Sequence, residues 1–341
     1  MTDSFGRNIN YLRVSLTDRC NLRCRYCMPE KGIDKKSHRD ILSLEDIYEI
    51  IRIAVEMGFS KVRLTGGEPL VRKGVIELCR SISGLSGVKD FSMTTNGLLL
   101  PEMARELKAA GLMRLNISLD TLDPDKYHQI TRIGSLDDAL AGIAAAEEAG
   151  FTNIKLNTVL IGGFNDCEIP RLVELTKQKS YQVRFIELMP IGHTYPFDRE
   201  AYLPMRTVLE RVPELEPVQS DDGVARLYRL PGAKGTVGLI SPLSDHFCSG
   251  CNRLRLTAGT GGLIEPMSCA FCADCTRIRI TADGKLKPCL HSAEEIPLRG
   301  LHGDALKERI EFAVSRKPER HCALSYSDRS GSARDMNRIG G

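Results

Sequence analysis

Apolar and polar positions alternate between two rhythms over the first 190 residues. Runs compatible with strands occupy residues 12–16, 61–65, 91–95, 114–119, 154–161 and 183–188. Between them lie stretches with apolar residues three and four apart, the helical period. Residues 43–57 are the clearest. Ser43 opens the stretch, Asp46 stands three residues on as a variant capping box, and Ile47, Ile50, Ile51 and Ala54 share one face. Residues 101–110, 136–149 and 167–178 follow the same pattern, and Gly58, Gly111 and Gly150 each stand where a helix should stop.

Six strand–helix units in succession predict an α/β fold with a parallel sheet and helices outside it. Periodicity leaves open whether the sheet is flat or curled into six-eighths of a (β/α) barrel. Either form places chemistry at the C-terminal ends of the strands.

Beyond residue 190 the rhythm breaks. Residues 190–235 read as loops with one short helix near 206–211. An internal repeat follows. Residues 237–258 (VGLISPLSDHFCSGCNRLRLTA) recur as residues 261–282 (GGLIEPMSCAFCADCTRIRITA), with 12 of 22 positions identical. Only the second copy continues into Asp283-Gly284, a hairpin signal that returns the chain at Cys289. A helix is expected near residues 305–315, then a tail from 325 to 341 too polar and Gly-rich to pack alone. The expected divisions are 1–190, 191–324 and a flexible tail, 325–341.

With 341 residues, 42% hydrophobic and 27% charged, the chain has ample length for a core. A net charge of +3 is too small to argue for nucleic acid or a membrane surface. No apolar run approaches the ~18 residues of a membrane helix, and residues 1–10 lack a signal peptide's apolar stretch, so a cytoplasmic location is expected. There, twelve cysteines are not a disulfide framework. Cys79, Cys167 and Cys322 stand alone and read as small apolar fillers.

The other cysteines are grouped. Cys20, Cys24 and Cys27 form C-x3-C-x2-C after the first strand. Three thiolates can hold three irons of a [4Fe–4S] cube and leave the fourth open. Thr65-Gly66-Gly67-Glu68-Pro69 follows the second strand, where glycines admit a close ligand and Glu68 suits an ammonium group. Cys272-x2-Cys275-x13-Cys289 is a second set of three, and Arg277 and Arg279 alternate on the strand leaving it, a pair suited to phosphate or a purine edge. The duplication offers Cys248 and Cys251 as an alternative pair. From them 37 residues must be looped out before Cys289, so geometry favours Cys272 and Cys275. Cys248-x2-Cys251-x20-Cys272-x2-Cys275 is also good zinc-ribbon spacing, which keeps a zinc-bearing binding module as an alternative of another class.

The first two motifs together resemble the radical S-adenosylmethionine (SAM) superfamily. The C-terminal motifs, with Arg184-Phe-Ile-Glu-Leu-Met189 and a terminal Gly340-Gly341, are similar to the GTP 3′,8-cyclase family, which performs the first step of molybdenum cofactor biosynthesis. The resemblance implies a partial (β/α)6 TIM-like barrel with a C-terminal cluster-binding extension, two [4Fe–4S] clusters and SAM. It implies SAM contacts at Tyr26, Gly67, Glu68, Ser118 and Met189. It implies GTP contacts at Arg13, Arg63, Thr94, Lys155, Arg277 and Arg279, with Gly340 and Gly341 completing the active site. Its expected partners are GTP, an electron donor such as flavodoxin or ferredoxin, a downstream cyclic pyranopterin monophosphate synthase and a second copy in a homodimer. A radical SAM peptide-maturing enzyme with an auxiliary cluster is the alternative nearest in chemistry.

Overall fold

The computed structural model describes residues 1–33, 40–191, 199–219, 225–243, 275–319, 330, 332 and 334–339. Cys248, Cys251, Cys269, Cys272, Cys322, Gly340 and Gly341 lie outside the described residues.

Six parallel strands follow the expected rhythm: β1 (Tyr11–Ser15), β2 (Lys61–Thr65), β3 (Asp90–Thr95), β4 (Arg114–Ser118), β5 (Ile154–Leu160) and β6 (Gln182–Glu187). Each is within one residue of its apolar run, because nearly every second side chain enters the core. Outside them pack α1 (Leu44–Glu56), α2 (Val75–Ser83), α3 (Leu100–Ala109), α4 (Pro124–Thr131), α5 (Leu136–Glu148) and α6 (Ile169–Gln178). Ser43 caps α1 as its spacing predicts, its Oγ accepting from Asp46 N at 3.0 Å. Gly58, Gly111 and Gly150 take positive φ behind α1, α3 and α5. Cys79 is buried on α2 as a filler, whereas Cys167 is exposed with its Sγ 3.3 Å from Lys126 Nζ. An isolated cysteine carries no sequence signal of which way it faces.

The parallel sheet is wider than six strands. Past the short helix α7 (Arg206–Arg211), β7 (Glu216–Val218), β8 (Arg226–Arg229) and β9 (Thr236–Ile240) extend one edge, and β9 runs parallel to β6. β10 (Arg277–Ile280), β11 (Lys285–Lys287) and β12 (Ile296–Pro297) extend the other, with β10 parallel to β1. The order is β12-β11-β10-β1-β2-β3-β4-β5-β6-β9-β8-β7. Residues 190–235 read as loops because β7 and β8 are three and four residues long and carry no fully buried position.

The sheet does not close, since β12 and β7 end it. It is curled nonetheless: all eight parallel strands send side chains into one cavity, from Arg279 of β10 through Arg13, Arg63, Thr94, Asn116, Asn157 and Arg184 to Ile240 of β9. A flat sheet cannot converge in this way. The fold is a partial barrel with its C-terminal strands on both edges. Helix α8 (Gly303–Ser315) packs beside α1. The short helix α9 (Met336–Ile339) returns over the barrel, with Ile339 buried and Met336 and Asn337 on the cavity wall. Among the tail's described residues, Asn337 Nδ2 donates to Asp18 O at 3.2 Å and Ser330 N to Pro190 O at 3.1 Å, which tie it to the barrel.

The repeat is divided between the two edges. The leading VGLI of the first copy lies in β9, and the trailing RIRI of the second copy is β10. The residues between them, 244–274, lie outside the described residues. Asp283-Gly284 turns β10 into antiparallel β11 as expected, with Gly284 at φ 80°.

Candidate active site

A cavity of about 320 Å³ occupies the barrel interior. In an ordinary (β/α)8 barrel, layers of branched apolar side chains fill this space. Here the inward positions are Arg, Thr, Asn and Ser, and the interior stays hollow.

The first cysteine loop sits at the C-terminal end of β1. Helix α4 holds it: Arg23 N and Arg25 N donate to Thr131 O and Ile130 O at 3.1 and 2.9 Å. Arg132, a non-glycine residue at φ 67°, reaches back to Arg23 O at 2.7 Å and Met28 O at 3.2 Å. A left-handed arginine costs about 1–3 kcal/mol, and such strain persists only where surrounding structure enforces it.

Cys20, Cys24 and Cys27 all line the cavity. Burial, with Glu68 adding to it, pushes the Cys20 thiol up to about 11. Burial and the neighbouring Cys20 and Asp335 push Cys27 to about 12, and Cys24 rises too, through burial, Cys27 and Asp120. The thiolate is the form that binds iron, so a metal held here has to displace the protons of all three thiols. Among the described residues no three Cys, His, Asp or Glu side chains close on a single ion. A cube differs in that each thiolate meets its own iron.

Gly66 and Gly67 admit the cysteine loop itself. A Cβ on Gly67 would stand 2.3 Å from Arg19 O, and one on Gly66 2.7 Å from Thr17 O. Gly67 N donates to Thr17 O at 2.7 Å and Glu68 N to Arg19 O at 2.8 Å. The carboxylate of Glu68, 1% exposed, accepts from Leu70 N (3.0 Å), Thr95 Oγ1 (2.7 Å) and Asn96 N (2.7 Å). Burial lifts its pKa to about 7 against those hydrogen bonds. Tyr26 donates to Asp120 Oδ2 at 2.6 Å, and burial raises Asp120 to about 6. Ser118 and Met189 complete this end of the wall.

Cys275 and Cys289 lie at the opposite end. Tyr11 is level with Arg277 in the β1–β10 register, so Cys275 stands two residues below it, at the height of Ile9. From there to Ser15 is six residues, about 20 Å at ~3.3 Å per residue. The expectation that all chemistry gathers at the C-terminal strand ends therefore fails for this second pair. A residue preceding β10 and a loop following β1 must sit at opposite ends of parallel neighbours. Burial raises Cys275, but Lys317 and Arg277 outweigh it and lower its pKa.

Between the two ends lies a cationic band. Arg279, Arg13 and Arg63 are level in the register, and Arg277 is one step below on the same face. Tyr11 is sandwiched by Arg63 and Arg277, whose guanidinium carbons are 5.4 and 5.2 Å from its ring centroid. Burial would raise its phenol, yet Arg63, Arg13 and Arg277 together lower it. Burial, then the neighbouring Arg279, pulls Arg13 well below its usual value. Four guanidiniums gathered in one band are suited to a polyanion.

Thr94 lines the cavity, and among the described residues its buried hydroxyl finds no hydrogen-bond partner, like Asn116 Oδ1 and Asn157 Oδ1 beside it. Lys155 shares the inward parity of Asn157 but is not part of the wall. Sequence reasoning missed Asn96, Asn116, Asp120, Asn157, His291, Lys317, Met336 and Asn337, all on the wall. For Asn116 and Asn157 a signal existed, since each lies two residues from Ser118 or Lys155 on the same strand face.

Comparisons with known proteins agree with this geometry. Residues 14–176 match the model of the Radical SAM superfamily, and residues 181–261 and 258–323 match Molybdenum Cofactor Synthesis C in two pieces that divide between the repeat copies. A GTP 3′,8-cyclase of Alkaliphilus metalliredigens (strain QYMF) is 48% identical over 345 residues, covering 100% of both chains. One from Peptoclostridium acidaminophilum is 49% identical over 346 residues, covering 100% of this chain and 98% of its own. Among solved structures, Streptococcus suis SuiB bound to S-adenosylmethionine aligns with a TM-score of 0.59 at 17% identity. That alignment covers 83% of this chain and 61% of the SuiB chain, and it supports the fold alone.

Proposed function

The chain belongs to the GTP 3′,8-cyclase family of the radical SAM superfamily, and we propose that it converts GTP to (8S)-3′,8-cyclo-7,8-dihydroguanosine 5′-triphosphate, the first step of molybdenum cofactor biosynthesis. Superfamily membership implies a [4Fe–4S] cluster and SAM. The two-cluster reading is carried by one observation, the placement of two sets of thiols at opposite ends of a hollow barrel with arginines between them.

In this reading Cys20, Cys24 and Cys27 hold the first cluster, and Cys275 and Cys289, with Cys272, hold the second. When bound, the first cluster and SAM supply one-electron chemistry that removes the ribose 3′ hydrogen of GTP so that C3′ closes on guanine C8. The protein binds, orients and shields. Tyr26, Gly67, Glu68, Ser118 and Met189 shape the SAM end. Arg13, Arg63, Arg277 and Arg279 neutralise triphosphate and fix its height in the barrel, with Thr94 on the cavity wall and Lys155 on the same strand face as Asn157. Thr94, Asn116 and Asn157 offer unsatisfied hydrogen-bonding groups to sugar or base. Gly340 and Gly341 follow directly from α9, whose Asn337 donates its backbone N–H toward Cys27.

An electron donor such as flavodoxin or ferredoxin, a cyclic pyranopterin monophosphate synthase that takes the product, and a homodimeric state belong to the same proposal. Among the described residues no helix is long and apolar enough to cross a membrane, and none of the seven described cysteines is in a disulfide. The test is anaerobic turnover with SAM, GTP and a chemical reductant. Formation of 5′-deoxyadenosine with a cyclised guanine nucleotide is expected. Equal consumption of ATP, or stoichiometric zinc without sulfide, overturns the reading.

A further inference from the structure

Lys317 is 3% exposed, although it carries a charge and follows the end of α8. Its Nζ lies 2.8 Å from Arg277 O, 3.0 Å from Pro288 O and 3.4 Å from Cys275 Sγ. Those three acceptors use all the donors of an ammonium group. Among the described residues no carboxylate pairs with it. A buried ammonium group with no carboxylate needs other acceptors, and beside the two carbonyls the sulfur of Cys275 is the one within reach. The two carbonyls are also informative. Arg277 O is two residues past Cys275, and Pro288 O is one residue before Cys289. A single ammonium group thus ties together the two chain segments that bring these thiols to the cavity.

We propose that Lys317 is a positioning residue for the C-terminal cluster: it fixes the spacing of Cys275 and Cys289, and its N–H···S bond raises that cluster's reduction potential. This rests on the two-cluster reading. Hydrogen bonds to cluster sulfurs and nearby positive charge favour the reduced, more negative state. Removing both shifts the midpoint to lower potential and loosens the iron.

The test uses full-length chains reconstituted anaerobically, comparing parent with K317M, in which an apolar chain of similar length replaces the ammonium. Iron is counted, and the C-terminal cluster is titrated by EPR in a C24A background that removes the signal of the first. A lower midpoint, or selective loss of about four irons with unchanged thermal unfolding and an intact first cluster, is the expected result. K317R, which keeps charge and donors, should fall between parent and K317M. An unchanged midpoint and iron content in K317M overturns the proposal. So does a loss of both clusters together with a lowered melting temperature, which would mark Lys317 as a general structural residue. A parent that binds only four irons would instead refute the second cluster itself.

Discussion

Replacing Arg334 with Met is expected to release the C-terminal segment from the mouth of the barrel. Arg334 bonds Asp283 through Nη1–Oδ1 and Nη2–Oδ2, each at 3.0 Å. It also bonds Glu295, through Nη2 at 2.8 Å and through a short Nε contact. The three side chains are only 14–17% exposed. A charge-assisted hydrogen bond at such a site is worth about 1.5–3 kcal/mol, but four do not add. Both carboxylates keep other partners, Thr281 Oγ1 at 2.6 Å from Asp283 and Lys285 Nζ at 3.0 Å from Glu295. The loss is therefore about 2–3 kcal/mol rather than the sum, or roughly 30- to 150-fold in segment opening. Buried Ile339 and the Asn337 Nδ2–Asp18 O bond at 3.2 Å remain, so the segment should loosen without unfolding the barrel. Hydrogen exchange at residues 336–339 reads the opening directly. Burial would raise Glu295, but hydrogen bonds from Arg334 and Lys285 outweigh it and hold the carboxyl at about 2. A depressed carboxylate contributes fully above its unfolded pKa of ~4.3 and loses that contribution as pH falls toward 2. Opening in the parent should thus be flat from about pH 5 to 8 and rise below about pH 4. Exchange in R334M within twofold of the parent would show that something other than this latch holds the tail.

Further outcomes are open to direct measurement. C275A or C289A should leave about four of eight irons, while C248A and C251A spare all of them; the reverse pattern would assign the second cluster to the first repeat copy. Y11L removes the ring between Arg63 and Arg277 and should weaken GTP binding by about 1–2 kcal/mol, roughly 5- to 30-fold, by calorimetry. Y11F keeps the ring and loses only a buried hydroxyl that has no hydrogen-bond partner among the described residues, so its GTP affinity should match the parent; equal weakening in both variants would mean the hydroxyl itself acts. Deleting Gly340 and Gly341 should leave both clusters and GTP binding intact but abolish cyclisation, and cyclisation at the parent rate would mark them as a dispensable end.

The six central strands were legible because alternate side chains enter the core and write apolar positions two apart, as in LRVSL, and the thiols of the first loop because C-x3-C-x2-C is local. What resisted reading was non-local. β9 and β10 look like fragments of one repeat, yet they stand at opposite edges of the parallel sheet, paired to β6 and β1. No pattern within VGLI or RIRI says which edge it joins. Gly67 illustrates a subtler gap. The sequence shows that something must come close, but only the fold shows that the neighbour is the backbone of Thr17–Arg19. Lys317 was invisible because a lysine just past a helix end normally reads as solvated, and nothing near it in sequence announces that Cys275 lies 3.4 Å away.

The topology also explains why the second set of thiols comes from the far end of the chain. Chemistry at both ends of a parallel barrel needs residues that follow one strand and residues that precede its neighbour. Within a run of β–α units the loops after strands lie at the C-terminal end and the turns before strands at the other, so the second site needs residues that precede a strand. A strand added from outside the run, beside β1, brings its preceding residue to the opposite end without disturbing any helix crossing. β10 is such a strand, and Cys275 is two residues before it. The hairpin through Asp283-Gly284 then carries the chain back down to Cys289, and the same turn supplies Asp283 to the Arg334 latch at the top. One hairpin thus joins the floor of the cavity to its lid. Strain or mutation in that turn should be felt at both ends, which a C-terminal extension folded as a separate body would not produce.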